Sequence, residues 1–378
     1  SGNTVRSTDN GLSWDNATTD NSTVNNLKKV TFGNNTFVAV GDSGNIVRST
    51  DNGTSWENTT TDSNSKLYVS WSEVSQVGSI SQIRVKNYDN SSWSTIDGDS
   101  NNGINLNKSR NATHPSLADN GTHLFAVWSE DDGAGKGQIR SAVYDNGTQS
   151  WDYRISNFQP LNNSTNYSAN NPQLLYNNSS LYAIWSENNG TANQVRVKQF
   201  DNSSSWNLVD NIGANTTGIN KNTGRNAINP KMQNFNTEIY AAWSETNADN
   251  RTQIRVKSYD GSSWSFVDGD NATKGINKDY TQNASYPQLV KVTDNSSSSK
   301  LYAVWLEENG NTQVRVAEFD GTSTWSFKDG NSFDGLNLNT AKITGKPSAA
   351  AYLNKLIVAW SETNSLGVPQ IRVAKSPF

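Results

Sequence analysis

The stretch from Ile239 to Trp264 reads IYAAWSETNADNRTQIRVKSYDGSSW and contains the repeating unit of this chain in its clearest form. Its first part, Ile239–Glu245, carries aromatic residues on both faces, which predicts a strand covered on both sides. Gln253–Tyr259 alternates apolar and polar residues, as a half-buried strand does. The residues 260–263 then predict a tight turn into Trp264 and a third strand. The unit therefore reads as strand, loop, strand and hairpin.

All thirteen tryptophans of the chain occupy two positions of this unit. The long strand ends at Trp71, Trp128, Trp185, Trp243, Trp305 and Trp360. The hairpin closes at Trp14, Trp56, Trp93, Trp151, Trp206, Trp264 and Trp325. Short segments that begin at Pro115, Pro172, Pro230, Pro287 and Pro347 predict a further strand ahead of the long one. Four strands at a period of about 55 to 60 residues are typical of a β-propeller blade.

The number of long strands predicts the number of blades. Counting from Thr36–Gly41 to Leu356–Glu362 gives seven, so we expect an all-β, seven-bladed β-propeller of mostly four-stranded antiparallel blades. The final unit stops before a closing tryptophan, and the N-terminus begins with the missing hairpin. We therefore expect one domain, 1–378, in which 1–20 and 347–378 share the closing blade. The approximate blades are 21–60, 61–97 (three-stranded or irregular), 98–155, 156–210, 211–268, 269–329 and 330–378 with the N-terminus.

Composition excludes several classes of function. The net charge is −4 with no basic stripe, so nucleic acid is not an expected partner. There is no cysteine for thiolate chemistry, and two histidines make a histidine-based zinc site improbable. No apolar run approaches the roughly 20 residues of a membrane span. The chain begins inside a repeat without a signal peptide, as a mature or trimmed chain would.

Asn-x-Ser/Thr sequons are abundant and predict a secreted or cell-surface glycoprotein. The absence of cysteine favours an archaeal or bacterial envelope over an animal secreted domain. The sequons stop after Asn295, so 301–378 is expected to be a glycan-free sector for self-assembly or partner contact. The predicted glycosylation sites are Asn16, Asn21, Asn34, Asn52, Asn58, Asn90, Asn107, Asn111, Asn120, Asn146, Asn163, Asn166, Asn178, Asn189, Asn202, Asn215, Asn250, Asn271, Asn283 and Asn295.

Two hairpins match the pattern Ser-x-Asp-x-Gly-x-x-Trp. They are formed by Ser7, Asp9, Gly11 and Trp14, and by Ser49, Asp51, Gly53 and Trp56. Later hairpins, such as the one from Asp260 to Trp264, are shortened forms of the same turn. The pattern resembles the Asp-box (BNR-repeat) β-propeller superfamily, known from sialidases and related secreted proteins. The resemblance implies a propeller in which the aspartate, glycine and tryptophan are structural.

A sialidase-like site, as the resemblance would imply, needs three arginines that converge on a carboxylate, a Tyr–Glu nucleophile pair and an acid/base aspartate. Most arginines here instead share one repeat position, namely Arg48, Arg84, Arg140, Arg196, Arg255, Arg315 and Arg372. No catalytic residue is therefore assigned, and the chain is expected not to be an enzyme. A sialidase-like glycoside hydrolase stays the alternative.

Tryptophan, glutamate and arginine recur together where the second strand ends and the third begins. One interpretation is a repeated contact that locks each blade. The other is a sugar-binding cleft, because the trio resembles the clefts of fucose-binding propeller lectins, and arginine and glutamate suit hydroxyl groups. The possible ligand-cleft residues are Trp243, Glu245, Arg255, Glu187, Arg196, Glu130 and Arg140.

An oxygen-rich segment after the closing tryptophan resembles a calcium loop, with Asp97, Asp99 and Asn101 as weak candidates. Otherwise no metal or cofactor is expected. The recurring Asn105, Asn220, Asn277 and Asn337 are expected to satisfy backbone groups in these connections.

Loops between second and third strands vary in length, so their face of the disc is the candidate recognition surface. We therefore expect a non-catalytic propeller for recognition, adhesion or assembly of a surface layer or filament, with carbohydrate as a candidate ligand. Glycans or extracellular proteins would be its partners.

Overall fold

The computed structural model describes residues 67–75, 79–88, 92–98, 103–210, 217–294, 296–330, 335–341, 344–352 and 354–376, and only the backbone of short strands before residue 67. Within these residues every regular element is a β-strand, apart from one turn of 3-10 helix, Arg154–Ser156. The all-β prediction is confirmed.

The strands before residue 67 form small sheets. A three-stranded antiparallel sheet has the order β4-β5-β6, β1 pairs with β2, and β3 runs parallel to β7. These strands are β1 Val5–Arg6, β2 Asp15–Asn16, β3 Thr18–Thr19, β4 Leu27–Gly33, β5 Thr36–Gly41, β6 Ile46–Ser49 and β7 Ser55–Trp56.

Six antiparallel sheets follow, each ordered as in the sequence, and they are the blades of a β-propeller. Blade 1 has three strands, β8 Leu67–Val74, β9 Ser81–Tyr88 and β10 Trp93–Thr95. Blade 2 has β11 Ala112–Asp119, β12 Leu124–Asp131, β13 Gly137–Asp145 and β14 Ser150–Asp152. Blade 3 has β15 Ala169–Asn177, β16 Ser180–Asn188, β17 Asn193–Phe200 and β18 Trp206–Leu208.

The remaining blades repeat this order. Blade 4 has β19 Ala227–Phe235, β20 Glu238–Thr246, β21 Thr252–Tyr259 and β22 Trp264–Phe266. Blade 5 has β23 Ala284–Thr293, β24 Ser299–Asn309, β25 Asn311–Phe319 and β26 Trp325–Phe327. Blade 6 has three strands, β27 Ser348–Tyr352, β28 Lys355–Thr363 and β29 Pro369–Lys375. The expected three-stranded form of the blade at 61–97 is confirmed.

The blade count corrects the prediction of seven, because the propeller has six blades of three or four strands. The count of seven relied on β5 as the long strand of a first blade. That strand reads TFVAVG and lacks the tryptophan and glutamate that the long strands of all six blades share. The predicted closure by 1–20 and 347–378 stays a prediction. The short strand β1 pairs with β2 and also contacts β29 of blade 6, which itself has three strands.

The long second strand of blades 2 to 5 is covered on both sides, as its sequence predicted, whereas Ser72 and Val74 of β8 in blade 1 are exposed. In β20 the residues from Ile239 to Glu245 are all buried, and Ala241, Ala242 and Trp243 have no exposed surface. Small alanines alternate with large aromatic residues, so neighbouring blades approach closely and the tryptophan fills the space between them.

Consecutive blades are joined by their closing tryptophans as well as by the apolar core. The indole Nε1 atoms of Trp151, Trp264 and Trp325 donate to carbonyl oxygens of the preceding blade's last strand or the residue after it. The acceptors are Ile96, Val209 and Val267, at 2.8, 2.9 and 2.9 Å. The closing tryptophan therefore fixes the spacing of neighbouring blades.

Candidate functional site

The glutamate at the end of each second strand holds the connection that leads into its own blade. In blade 4, Glu245 Oε2 accepts hydrogen bonds from Trp243 Nε1 (2.8 Å) and Lys221 N (3.0 Å), and Oε1 accepts one from Asn222 N (2.6 Å). The equivalent indole and two backbone N–H groups donate to Glu130 in blade 2 and to Glu187 in blade 3, and both glutamates are buried. Backbone N–H groups that would otherwise be unpaired are satisfied in this way.

An asparagine, buried or half-buried, holds the same connection to the preceding blade. Asn277 Oδ1 accepts the N–H of Ile254 in blade 4 at 2.8 Å, and Asn105, Asn220 and Asn337 make the equivalent contact. The expectation that these asparagines satisfy backbone groups is confirmed. Asn162 belongs to the same set through Ile139 N at 2.8 Å. The sequence reading missed it, although the five lie at corresponding positions of the repeat.

The repeated arginines pair mainly with an aspartate from the end of the fourth strand. Arg255 Nε lies 2.8 Å from Asp268 Oδ2, off the hydrogen-bond direction, and Nη2 donates to Oδ1 at 3.2 Å. Equivalent pairs join Arg84 to Asp97 and Arg196 to Asp210, at 3.0 and 2.7 Å. Burial raises the pKa of Asp268, although Arg255 opposes that shift.

In two blades the arginine lies near a glutamate of the second strand. Arg140 in blade 2 and Arg372 in blade 6 lie 3.9 Å from Glu130 and Glu362, respectively. Arg140 also donates to the carbonyl of Phe158 at 3.2 Å. The sequence reading paired the arginines with the glutamates and missed the aspartates, whose regular spacing after the closing tryptophan was the available signal.

The structure brings the predicted ligand-cleft residues together inside the blades. Trp243, Glu245, Arg255, Glu187, Arg196 and Glu130 are each at most 4% exposed, and Arg140 is half-buried. Their polar atoms contact the connections and the aspartates described above. Sugar binding at these residues stays a prediction.

Asp97, one of the calcium candidates, is buried against Arg84 and accepts the Val85 N–H at 2.8 Å. Burial raises its pKa. Asp99 and Asn101 lie outside the described residues. Among those that are described, no group of three or more histidine, aspartate or glutamate side chains is placed to hold a metal ion. Calcium binding stays a prediction.

The shortened hairpins keep the aspartate of the Asp-box turn. Asp260 Oδ1 accepts the N–H groups of Ser262 and Ser263 at 2.7 and 2.8 Å. These bonds lower the pKa of Asp260 to about 2. The two full Asp-box turns, at Ser7, Asp9, Gly11 and Trp14 and at Ser49, Asp51, Gly53 and Trp56, lie outside the residues whose side chains are described.

The predicted glycosylation sites and the predicted contact sector stay predictions. Asn16, Asn21, Asn34, Asn52, Asn58, Asn90, Asn215 and Asn295 lie outside the residues whose side chains are described. Across the described ranges, no helix is long and apolar enough to cross a membrane.

First strands of neighbouring blades lie side by side, so they line the axis of the propeller. Asn234 Nδ2 of β19 donates to Asn177 Oδ1 of β15 at 3.4 Å, and Met232 N donates to Gln173 Oε1 at 2.6 Å. Each of the four long first strands carries a bulge near its start. The bulges lie beside the loops between second and third strands (132–136, 189–192 and 247–251), whose side of the disc we name the upper face.

Each bulge holds a residue that precedes a proline, and we name these residues and their blade 6 equivalent the pre-proline group. In blades 2 to 5 their φ angles are 55°, 55°, 55° and 56°, in the left-handed region. Asn171 Nδ2 donates to Asn229 Oδ1 of the next blade at 3.1 Å, and Lys346 Nζ lies 4.1 Å from the centre of the Tyr286 ring. The group comprises His114, Asn171, Asn229, Tyr286 and Lys346.

The pre-proline group combines five different donors and acceptors at one level of the axis. His114 and Lys346 are exposed, and Asn171, Asn229 and Tyr286 are half-buried. The prolines were visible in the sequence, but they served there only to mark a strand. The side chains one position earlier were missed because nothing in the sequence indicated the left-handed backbone that groups them.

No protein-family model and no curated protein matches the sequence. Solved structures do match the fold. An alpha-L-arabinanase of Penicillium chrysogenum, complexed with arabinobiose, is 13% identical over 69% of this chain and 80% of its own, with a TM-score of 0.45. A Trypanosoma rangeli sialidase is 10% identical over 99% of this chain and 57% of its own, with a TM-score of 0.48. A GH93 alpha-L-arabinofuranosidase of Fusarium graminearum is 13% identical over 71% and 81%, with a TM-score of 0.44.

These similarities concern the fold and assign no activity to this chain. They do correct one prediction, that the chain is not an enzyme. The three matched proteins are all glycoside hydrolases, the sialidase among them. The sequence-based exclusion of enzymatic function rested on the scarcity of arginines outside the repeat, which bears on one sialidase mechanism and not on glycoside hydrolysis in general. That exclusion is therefore withdrawn.

Proposed function

We propose that this propeller binds carbohydrate at the centre of its upper face, through the pre-proline group. The main observation in support is the hydrogen bond from Asn171 to Asn229, which joins blades 3 and 4. In addition, the Lys346 ammonium group contacts the Tyr286 ring, further round the same axis. Amide, phenol and ammonium groups donate hydrogen bonds, and the amide and phenol oxygens also accept them, as adjacent sugar hydroxyls require.

The backbone of the group supports a preformed site. Left-handed φ angles at non-glycine residues cost free energy, and such strain is concentrated at binding and catalytic sites. Here it recurs at four equivalent positions, each followed by a proline that fixes the next φ angle. A ligand that meets these side chains therefore pays little for ordering them.

The test is a glycan array probed with the purified chain, followed by titration of the best ligand against paired variants. N171A/N229A removes the bridge and is expected to weaken binding by about tenfold or more, as loss of a central polar contact does. N177A/N234A is the matched control, because that pair joins the same two blades at the other end of the same strands. Equal affinities for the two variants, or no glycan bound by the wild type, would overturn the proposal.

Glycoside hydrolysis at the same opening is the second candidate, since it is the activity of the matched proteins. Hydrolysis generally needs two carboxyl groups flanking the bond. The pre-proline group holds none, so they would come from the adjoining ends of the second strands, where Asp131 and Glu308 lie, or from the loop that holds Asp132. Incubation with arabinan, galactan and sialyl-oligosaccharides tests this. Released reducing sugar that disappears in D132N or E308Q supports it, and intact substrate rejects it.

We further propose that the chain acts at a cell surface, where 301–378 contacts a second copy. Leu366 and Val368 support this, because these apolar side chains of the sequon-free sector are 84% and 49% exposed. Sedimentation of the native glycoprotein should show an assembly that L366S/V368S dissociates. V74S is the control, as Val74 is 59% exposed in blade 1. A monomeric wild type would refute the contact.

A further inference from the structure

A separate cleft lies between blades 1 and 2, and it is lined by the hairpin of blade 2 that joins third and fourth strands. Its volume is about 450 Å³, within the usual range for small-molecule sites. Tyr68 and Asn87 line it from blade 1, and Tyr144, Asn146 and Gln149 line it from blade 2. This hairpin is at the opposite end of the strands from the pre-proline group, so the cleft is a different site.

The lining is polar and carries no formal charge at neutral pH. Two phenols, three amides and the hydroxyl of Ser94 provide both donors and acceptors. Burial raises the pKa of both Tyr68 and Tyr144, so their hydroxyl groups stay protonated. A charged ligand would lose its hydration here without meeting an opposite charge, which is costly. The lining therefore selects an uncharged ligand rich in hydroxyl groups.

Two features indicate that the cleft is a preformed binding site. Asn87 Oδ1 is buried and has no hydrogen-bond partner among the described residues, which leaves an acceptor for a ligand hydroxyl. Gln149 adopts a φ of 52°, a conformation that favours glycine or asparagine. The hairpin thus keeps a strained glutamine whose side chain lines the cleft. Trp151 Nε1 bonds to the Ile96 carbonyl at 2.8 Å across the same two blades, which fixes the width of the cleft.

We infer that this cleft binds a neutral mono- or disaccharide. Two sources supply that chemistry. One is a free saccharide, and the other is a glycan on Asn146, because Asn146-Gly147-Thr148 is a sequon and Asn146 lines the cleft. The inference does not depend on binding at the pre-proline group.

The test uses the full chain produced without glycosylation, titrated with neutral and anionic mono- and disaccharides. We expect a neutral sugar to bind, and N87A to weaken it by about tenfold or more. Q199A is the matched control, because Gln199 pairs with Tyr182 in blade 3 as Asn87 pairs with Tyr68 in blade 1. N171A/N229A should leave this binding unchanged, so that failure at one site is distinguishable from failure at the other.

Gln149→Gly separates a binding role from a structural one. Glycine relieves the positive φ, so the melting temperature should rise while the affinity for the saccharide falls. A glycosylated preparation distinguishes the sources. If glycosylated wild type rejects the free sugar and T148A, which lacks the sequon, accepts it, the occupant is the Asn146 glycan. Equal binding by both identifies a free saccharide. No neutral saccharide bound, or affinities unaffected by N87A and Q149G, would overturn the inference.

Discussion

The indole Nε1 of Trp305 donates a hydrogen bond to Glu307 Oε2, two residues further along β24, over 3.0 Å. The two side chains lie on the same face of the strand because side chains alternate between faces. The carboxylate also accepts the backbone N–H groups of Lys278 and Asp279, both at 2.8 Å. One buried glutamate thus accepts hydrogen bonds from three donors.

Removing this carboxylate should destabilise the fold strongly. In E307A one buried and two partly buried N–H groups lose their acceptor, so the free energy of unfolding should fall by about 3 kcal/mol or more. E308A removes the next, exposed carboxylate and should change it by at most about 0.5 kcal/mol. Urea denaturation measures both. Similar losses for the two variants would show that the glutamate does not hold the connection.

Breaking a buried arginine–aspartate pair should lower the free energy of unfolding more than breaking an exposed one. R255M leaves Asp268 charged and buried, so the free energy of unfolding should fall by about 3–5 kcal/mol. R154M breaks the exposed pair with Asp152, in which the arginine side chain is 77% exposed, and should cost at most about 1 kcal/mol. Chemical denaturation at one salt concentration compares them. A small effect of R255M would contradict a stabilising role for the repeated pair.

The closing tryptophans offer a test of the hydrogen bond between blades. W264F loses the bond to the Val209 carbonyl, whereas W206F loses none, because Trp206 Nε1 is buried and has no partner within the part of the chain that the structure describes. Both variants lose the same indole volume, so their difference isolates the bond. We expect W264F to be less stable than W206F by about 1–2 kcal/mol, measured by thermal unfolding. Equal stabilities would assign the role of the tryptophan to packing alone.

The hairpin aspartates predict that the stability of the fold decreases at acidic pH. The pKa of Asp260 is lowered to about 2 in the folded chain, below the value of about 3.9 for an unperturbed aspartate. Its contribution to stability is therefore present above the unfolded pKa and is lost as the pH falls towards 2. The melting temperature of D260N should decline less than that of the wild type between pH 4 and 2. Parallel curves would mean that the turn does not depend on the charge.

The strands could be predicted well from the repeat because equivalent positions of each repeat are buried to a similar extent in each blade. The prediction of Ile239–Glu245 as a strand covered on both faces is confirmed within β20, Glu238–Thr246. The blade count failed because β5 has the apolar character of a long strand. It lacks the tryptophan–glutamate pair that anchors the connection, and only the structure revealed that the pair has this function.

The candidate site was harder to predict. One of the aspartates that pair with the arginines, Asp97, was a calcium candidate in the sequence, because it begins an oxygen-rich segment. Its partner Arg84 lies on the preceding strand, thirteen positions earlier, and this proximity arises from the hairpin. The contact of Asn171 with Asn229 joins residues 58 positions apart, and no local pattern indicates it.

The asparagine and the glutamate that hold each connection between blades also bear on how the number of repeats in such a protein can change during evolution. The connection between blades 4 and 5 is held to one blade by Asn277 and to the next by Glu307. The same two residue types stand at every junction from blade 1 to blade 6. A gene rearrangement that joined any two of these units would place a matching asparagine and glutamate at the new boundary. The number of repeats can therefore change by recombination without new contacts having to evolve at the boundary between blades.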